Sequence, residues 1–370
     1  MNKWIRRLLM VMSLLLLPGC WDQDLLKDAR LLYALAFDRA PGEKMMQTVT
    51  IRDMPTTEQG EPVNEVYSAL GDSPRDATDS LARKISGSYR VYKAQVLLLG
   101  KSLAKTDIYP YFDVFFRDPK DPINTKVAVV DGKGGDILRM KKVGNQLIGE
   151  FLYDQVTSKE QLSVFPEESL QSIRPIMLDP GRDFLLPYIK QEGGEVVAKG
   201  SAMFHGHHLT GILAPDETTL YLLALGKQGK VARFTEKVDP GLPSNPANYI
   251  TIDVAKSKHT LKVKVQPDGK IIADVGLYLK VSVPEYFPNR MADEKQVQRL
   301  NQVLSKKLTK KAKKMIRKTQ AAHCDALGVG RNLIAYHPEV WKKKKWTRDY
   351  PKVQFQTKVK VEIIGSGVIG

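Results

Sequence analysis

Apolar and polar positions along the chain alternate with two periods, and their punctuation predicts a mixture of strands and helices. Residues 31–37 and 45–52 read as strands. Ser73-Pro74 offers a capping hydroxyl and a first-turn proline; Ala77, Leu81 and Ile85 follow at spacings of four on one helical face, and Gly87 is the expected stop. The apolar run at 91–99 predicts one buried strand, 108–117 a helix, 125–130 a strand and 135–140 a short helix. Mixed structure continues to about residue 189, and Gln191-Glu192-Gly193-Gly194 is the expected linker, with a domain boundary near 195.

Beyond that boundary, 196–204 and 209–213 predict a hairpin around Gly206, and two longer strands at 248–265 and 270–284 flank a Pro267-Asp268-Gly269 turn. A long amphipathic helix is expected over 293–322. Val297, Leu300, Leu304, Leu308, Ala312, Met315 and Thr319 recur at spacings of three and four, while lysines and arginines fill the other positions from Lys306 to Lys318. A final strand at 353–364 closes the chain. The expected fold class is α+β and multidomain, with mixed sheets, packed helices and this basic helix in the C-terminal part.

Charge sharpens the picture because it is unevenly placed. The net charge of +16 is concentrated between residues 306 and 360, where 17 Lys and Arg face only Asp325, Glu339 and Asp349. Three readings suit such a basic end: a solvated face, attraction to an anionic leaflet, or docking on acidic loops of a partner. The stripe Lys307, Lys310, Lys314 and Lys318 is the candidate interaction surface. Nucleic acid is not expected as a partner, since Trp341 and Trp346 flank the lysines as packing residues do.

The N-terminus supplies a second kind of chemistry. Lys3, Arg6 and Arg7 precede an apolar run from Leu8 to Leu17, the pattern of a secretory signal too short to span a bilayer of about 30 Å. Leu17-Pro18-Gly19-Cys20 resembles a bacterial lipobox, which predicts cleavage between Gly19 and Cys20 and a covalent diacylglyceryl and N-acyl lipid on Cys20. Two or more acyl chains on one residue hold a protein stably on a membrane where one does not. The chain has two cysteines, so lipidation of Cys20 leaves Cys324 without a disulfide partner.

No catalytic or metal site is expected. His205, His207 and His208 sit in a predicted turn with no evident carboxylate or thiolate partner, and neighbours such as His323 and Cys324 do not face each other on a helix. GxSxG, HExxH and phosphate-loop patterns are missing from the sequence. Gly328 is expected to cap the long helix, with Asp325 tying down local backbone amides.

Cys20-Trp21-Asp22 after the lipobox, the stretch from Arg83 to Asp118, the stretch from Gly200 to Lys227 and the segment from Gln320 to Pro351 together resemble the Ger(x)C spore-germination lipoproteins. In the last segment Gln320, Asp325, Gly328, Gly330, Pro338, Trp341 and Trp346 carry the likeness. The resemblance implies a signal peptide at 1–19, an N-terminal α+β region at 20–195 of one or two subdomains, and a C-terminal germination-receptor domain at 196–370. It further implies a non-catalytic C subunit of a nutrient germinant receptor. That subunit would sit lipid-anchored on the outer face of the spore inner membrane beside polytopic A and B subunits, with no small-molecule substrate of its own. A solute-binding lipoprotein of an uptake system is the competing reading.

Overall fold

Strands buried on both faces need no polar alternation, and the run Val-Leu-Leu-Leu at 96–99 is fully buried at the middle of a nine-stranded mixed sheet. The computed structural model describes residue 4 and residues 29–53, 63–91, 93–118, 121–239, 241, 245–287 and 293–366. The expected signal segment, Gly19 and Cys20 lie outside the described residues.

An antiparallel meander of β1 (Ala29–Arg39), β2 (Met45–Asp53) and β3 (Val63–Gly71) is followed by helix α1 (Pro74–Ala82), which Ser73 caps by accepting from the Asp76 amide at 3.2 Å. Then come β4 (Ser88–Arg90), β5 (Val96–Gly100), α2 (Lys101–Ala104), α3 (Tyr109–Arg117), β6 (Lys126–Val130) and α4 (Gly134–Arg139). A small hairpin of β7 (Lys142–Val143) and β8 (Gln146–Leu147) leads into α5 (Ile148–Gln161) and α6 (Leu170–Met177). The sheet is completed by β9 (Leu185–Glu192), β10 (Glu195–His205) and β11 (His208–Leu213). Its order is β11-β10-β9-β6-β5-β1-β2-β3, with β4 beside β1, and β1, β5, β6 and β9 run parallel. Alternation sends Leu35, Phe37, Leu97, Leu99, Val127 and Val129 into one core with α1, α3 and α6. Ala34, Ala36, Val96, Leu98, Ala128 and Val130 enter another with α4 and α5.

Two expectations change here. The strand predicted at 91–99 begins only at Val96, because Ala94 donates to the Val91 carbonyl at 2.9 Å and turns the chain between β4 and β5. The Glu-Gly-Gly segment is no linker: Glu192 pairs Glu195, Gly193 takes φ +59°, and β9 and β10 form a hairpin within the larger sheet. Strands on either side of residue 195 therefore share one set of hydrogen bonds.

The rest of the chain builds a second layer. Helix α7 (Pro215–Ala224) precedes a four-stranded sheet of β12 (Arg233–Lys237), β13 (Tyr249–Val265), β14 (Ile271–Tyr286) and, parallel to β14, the last strand β15 (Gln354–Ser366). One face is covered by α7 and by the 28-residue helix α8 (Glu294–Ala321), whose Leu300, Leu304, Leu308, Ala312 and Met315 are buried against Val275, Leu277, Leu279, Val359 and Val361. Short helices α9 (Val329–Tyr336), α10 (Pro338–Trp341) and α11 (Trp346–Asp349) fill the interval between α8 and β15.

Helix α8 also closes the sheet edge. Ser305 Oγ accepts from the Val361 amide, Thr309 Oγ1 from Val359 and Asn301 Oδ1 from Ile363, each at 2.9 Å. Steps of four residues along a helix advance about 6 Å and steps of two along a strand about 6.6 Å, so the two ladders stay in register. An edge that would otherwise offer free amides to another strand is thereby satisfied. Ser305→Ala is expected to lower stability by about 1 kcal/mol in urea unfolding, the lost bond outweighing roughly 0.5 kcal/mol of gained helix propensity. A variant as stable as the parent would remove the ladder from the stabilising interactions.

Candidate functional site

Helix α8 ends in a left-handed residue that is not glycine. His323 has φ +54°, its amide donates to the Gln320 carbonyl at 3.0 Å, and the next amide, of Cys324, donates to the Thr319 carbonyl at 2.9 Å. This paired 5→2 and 6→1 pattern is a Schellman stop. Gly328, expected to end α8, instead stands before α9 at φ +77°, where a Cβ is disfavoured. The correction follows from Asp325, which turns the intervening chain inward.

Asp325 is 1% exposed, and both carboxylate oxygens are fully engaged. Oδ1 accepts from the amides of Gly328 at 3.1 Å and Val329 at 3.0 Å; Oδ2 accepts from the amide of Gly330 at 2.7 Å and from Trp346 Nε1 at 3.0 Å. The first turn of any helix leaves orphan donors, and here three of them meet this carboxylate. The fourth, Arg331 N, donates to the Gly181 carbonyl at 2.7 Å. Residue 330 must be glycine because a Cβ would lie 2.6 Å from Trp346 Nε1 and 2.9 Å from the Gly181 oxygen. Burial pushes the Asp325 carboxyl up to about 7, against the pull of the Gly330, Val329 and Trp346 donors.

The same cluster fastens the two sheet layers together. Asp183, just before β9, donates its amide to the Asp325 carbonyl at 3.1 Å, while its Oδ2 accepts from the Asp325 amide at 2.7 Å and its Oδ1 from the Gly206 amide at 2.8 Å. Arg331 pairs with Asp179 at 3.2 Å. Around this joint Gln320 Nε2 donates to the carbonyls of Pro351 and Val353 at 3.0 and 2.9 Å. Trp346 packs between Trp341 and Tyr350, with ring centroids at 5.4 and 5.8 Å. The structure thus brings Gln320, Asp325, Gly328, Gly330, Trp341 and Trp346 into one constellation.

The histidines have partners that sequence reading missed. His205 Nδ1 lies 3.2 Å from Asp183 Oδ2 and its Nε2 3.2 Å from Thr347 Oγ1, while His207 bridges Asp107 and the Met177 carbonyl and stacks on Tyr109 at 5.1 Å. All of these partners lie far away in sequence, so no local spacing announced them. Thr347, His205 and Asp183 have the connectivity of nucleophile, base and orienting acid. Asp183 is already held by two amides and Thr347 is on exposed surface, so the row acts as a brace between α11 and β10. Cys324 is fully buried, 4.0 Å from the Phe184 carbonyl, and burial raises its thiol well above the ordinary range, the opposite of an activated nucleophile. Among the described residues no group of three or more His, Cys, Asp or Glu is placed to hold a metal ion.

The four lysines of the candidate stripe do not share one environment. Lys318 Nζ donates to Glu217 Oε2 at 2.6 Å and Lys314 lies 3.5 Å from Oε1 of the same residue, which caps α7 through the Ala214 amide at 2.8 Å. Burial pushes the Glu217 carboxyl up, but Lys318, the Ala214 amide and Lys314 outweigh it and hold it below its ordinary value. Reversing Lys318 would set a carboxylate against a buried carboxylate. Lys310 is exposed and, like Lys307, has no ion-pair partner among the described residues.

Family comparison adds the decisive observation. The model described as "Spore germination protein N-terminal domain" matches residues 22–191, and "Spore germination B3/ GerAC like, C-terminal" matches 199–367. The chain belongs to the Ger(x)C family of spore germination proteins. Relatives include "Spore germination protein GerQC" of Bacillus cereus, 22% identical and spanning 100% of this chain and 99% of the relative. "Spore germination protein KC" of Bacillus subtilis (strain 168) is 20% identical over 99% and 97%. The solved structure "Crystal Structure of the GerBC protein" shares the fold at TM-score 0.55 and 19% identity, covering 89% of this chain and 96% of that one.

Asp325→Ala is expected to lower stability by about 3 kcal/mol, since the Val329 and Gly330 amides and the Trp346 indole lose their acceptor while the Gly328 amide keeps the Asp325 carbonyl, and Asp325→Asn by less, since one acceptor oxygen remains. Chemical unfolding of both variants checks the order. The Asp183 bond raises the His205 pKa, so its contribution is full below about pH 6.5 and is lost as pH rises through the folded-state value. Asp325 acts with the same sign at lower pH: the folded protein keeps up to about pH 7 a proton that the unfolded chain sheds near pH 4. Thermal midpoints should therefore fall as pH rises above about 6.5 in the parent and fall less in His205→Gln.

Proposed function

We propose that this protein is the C subunit of a spore nutrient germinant receptor, held on the outer face of the spore inner membrane by a diacylglyceryl and N-acyl lipid on Cys20. The observation that carries the reading is the ordered match of both halves, 22–191 and 199–367, to spore-germination families. Anchoring is supported by the basic, apolar and Leu-Pro-Gly-Cys sequence at the start. Among the described residues no helix is long and apolar enough to cross a membrane.

The chemistry of the joint favours assembly over catalysis. Its carboxylates and histidines are spent on backbone amides and on one another, which makes a stiff body suited to carrying a signal between polytopic A and B neighbours. Gln320, Asp325, Gly328, Gly330, Trp341 and Trp346 act as the structural frame of that body.

Cys20→Ala should abolish incorporation of labelled fatty acid and release the folded protein from the spore-membrane fraction, with loss of the nutrient response. Label retained in the variant would refute the anchor. An unchanged nutrient response in a strain lacking the whole chain would refute the receptor role.

A further inference from the structure

The four-stranded sheet has one covered face and one open face. Alternation sends Val275, Leu277, Leu279, Val359 and Val361 toward α8, and it sends the intervening residues of β13, β14 and β15 outward. Among the described residues no helix packs on that outer side. Lys256, Lys258, Lys262, Lys358 and Lys360 stand exposed there without an acidic partner among the described residues. Asp274 and Glu362 on the same face are already matched by Lys264 at 2.8 Å and Lys280 at 3.7 Å. Lys258, Tyr278 and Lys360 align in register across the three strands, with the Lys360 ammonium 5.3 Å from the Tyr278 ring centroid. The result is a broad cationic surface with an amphipathic aromatic at its centre.

Topology places the joint between this layer and the larger sheet at the edge where the chain's N-terminal tether begins. Strands β1, β5, β6 and β9 are parallel, so all four begin at one edge of the larger sheet. Residue 29 begins β1 at that edge, and Asp183, immediately before β9, grips Asp325 of the C-terminal layer at the same edge. Nine residue steps separate Cys20 from Ala29, a reach of at most about 30 Å. A lipid on Cys20 would therefore keep the C-terminal layer within reach of the leaflet.

We propose that the open face of the four-stranded sheet, centred on Lys258, Tyr278 and Lys360, docks on the anionic headgroups of the membrane that carries the anchor. Tyr278 suits the headgroup level, and the uncompensated lysines supply the attraction. The exposed lysines of α8 at 306, 310 and 313 lie on the far side of the layer, turned away from the leaflet. The proposal rests on the Cys20 anchor, which flotation with neutral vesicles tests separately.

The test is amine acetylation of the full lipidated chain, quantified residue by residue by mass spectrometry, on phosphatidylcholine vesicles and on phosphatidylcholine mixed with phosphatidylglycerol. Lys258, Lys262 and Lys360 should react about fivefold more slowly on the anionic vesicles, the factor that corresponds to the usual attraction of one lysine. Lys306, Lys310 and Lys313 should react equally on both. The difference should vanish in 1 M salt, where screening falls to about 3 Å. Lys258→Glu with Lys360→Glu should remove the protection of Lys262 while far-ultraviolet dichroism stays that of the parent. Equal labelling of the sheet lysines on the two vesicles, protection of the α8 lysines instead, or protection of Lys262 retained in the double variant would each overturn the proposal.

Discussion

A buried carboxylate without partners is among the costliest groups a fold can hold, and the C-terminal layer is organised around supplying one with donors. Asp325 collects three amides from the start of α9 and the indole N–H of Trp346. Those bonds set where α8 stops, how α9 begins, why residue 330 has no side chain and where the aromatic stack sits. The backbone of Asp325 then exchanges hydrogen bonds with Asp183, which carries the constraint into the nine-stranded sheet.

The device recurs. Asp38, at the end of β1, accepts from the amides of Gly134 and Gly135 at 2.8 Å each and so caps α4, with burial raising its pKa. Asp183 accepts from Gly206 in the turn between β10 and β11. In each case a short acidic side chain stands where an external anion would otherwise suit exposed amides, and the fold fills the position from within. Such internally satisfied sites offer little to a substrate and much to rigidity.

Much of the secondary structure was legible because it rests on local rules. The Ser73-Pro74 start, the apolar spacing of α8 and the Pro267-Asp268-Gly269 turn each announce themselves within a few residues. Strand β3 did not, since Val63–Gly71 mixes polar and apolar residues at a sheet edge that demands little burial pattern. The Glu-Gly-Gly turn resembled a linker because a hairpin turn and a linker share composition, and only pairing with distant strands separates them. Asp325 was recognisable as a tie for nearby amides, but its link to Asp183 spans 142 residues. The pairing of Lys314 and Lys318 with Glu217 likewise joins segments about a hundred positions apart, which charge counting cannot see.

Hydrogen exchange at residues 325–331 addresses the joint most directly. If Asp325 and Asp183 hold the two layers as one body, the amides of Asp325, Gly328, Val329 and Gly330 should exchange as slowly as those of the central strand β5. Replacing Asp183 with alanine should then accelerate them together with the amide of Gly206. Exchange of these amides in the parent protein at the rate of an exposed loop, or no acceleration in the variant, would contradict the central role of the buried carboxylates.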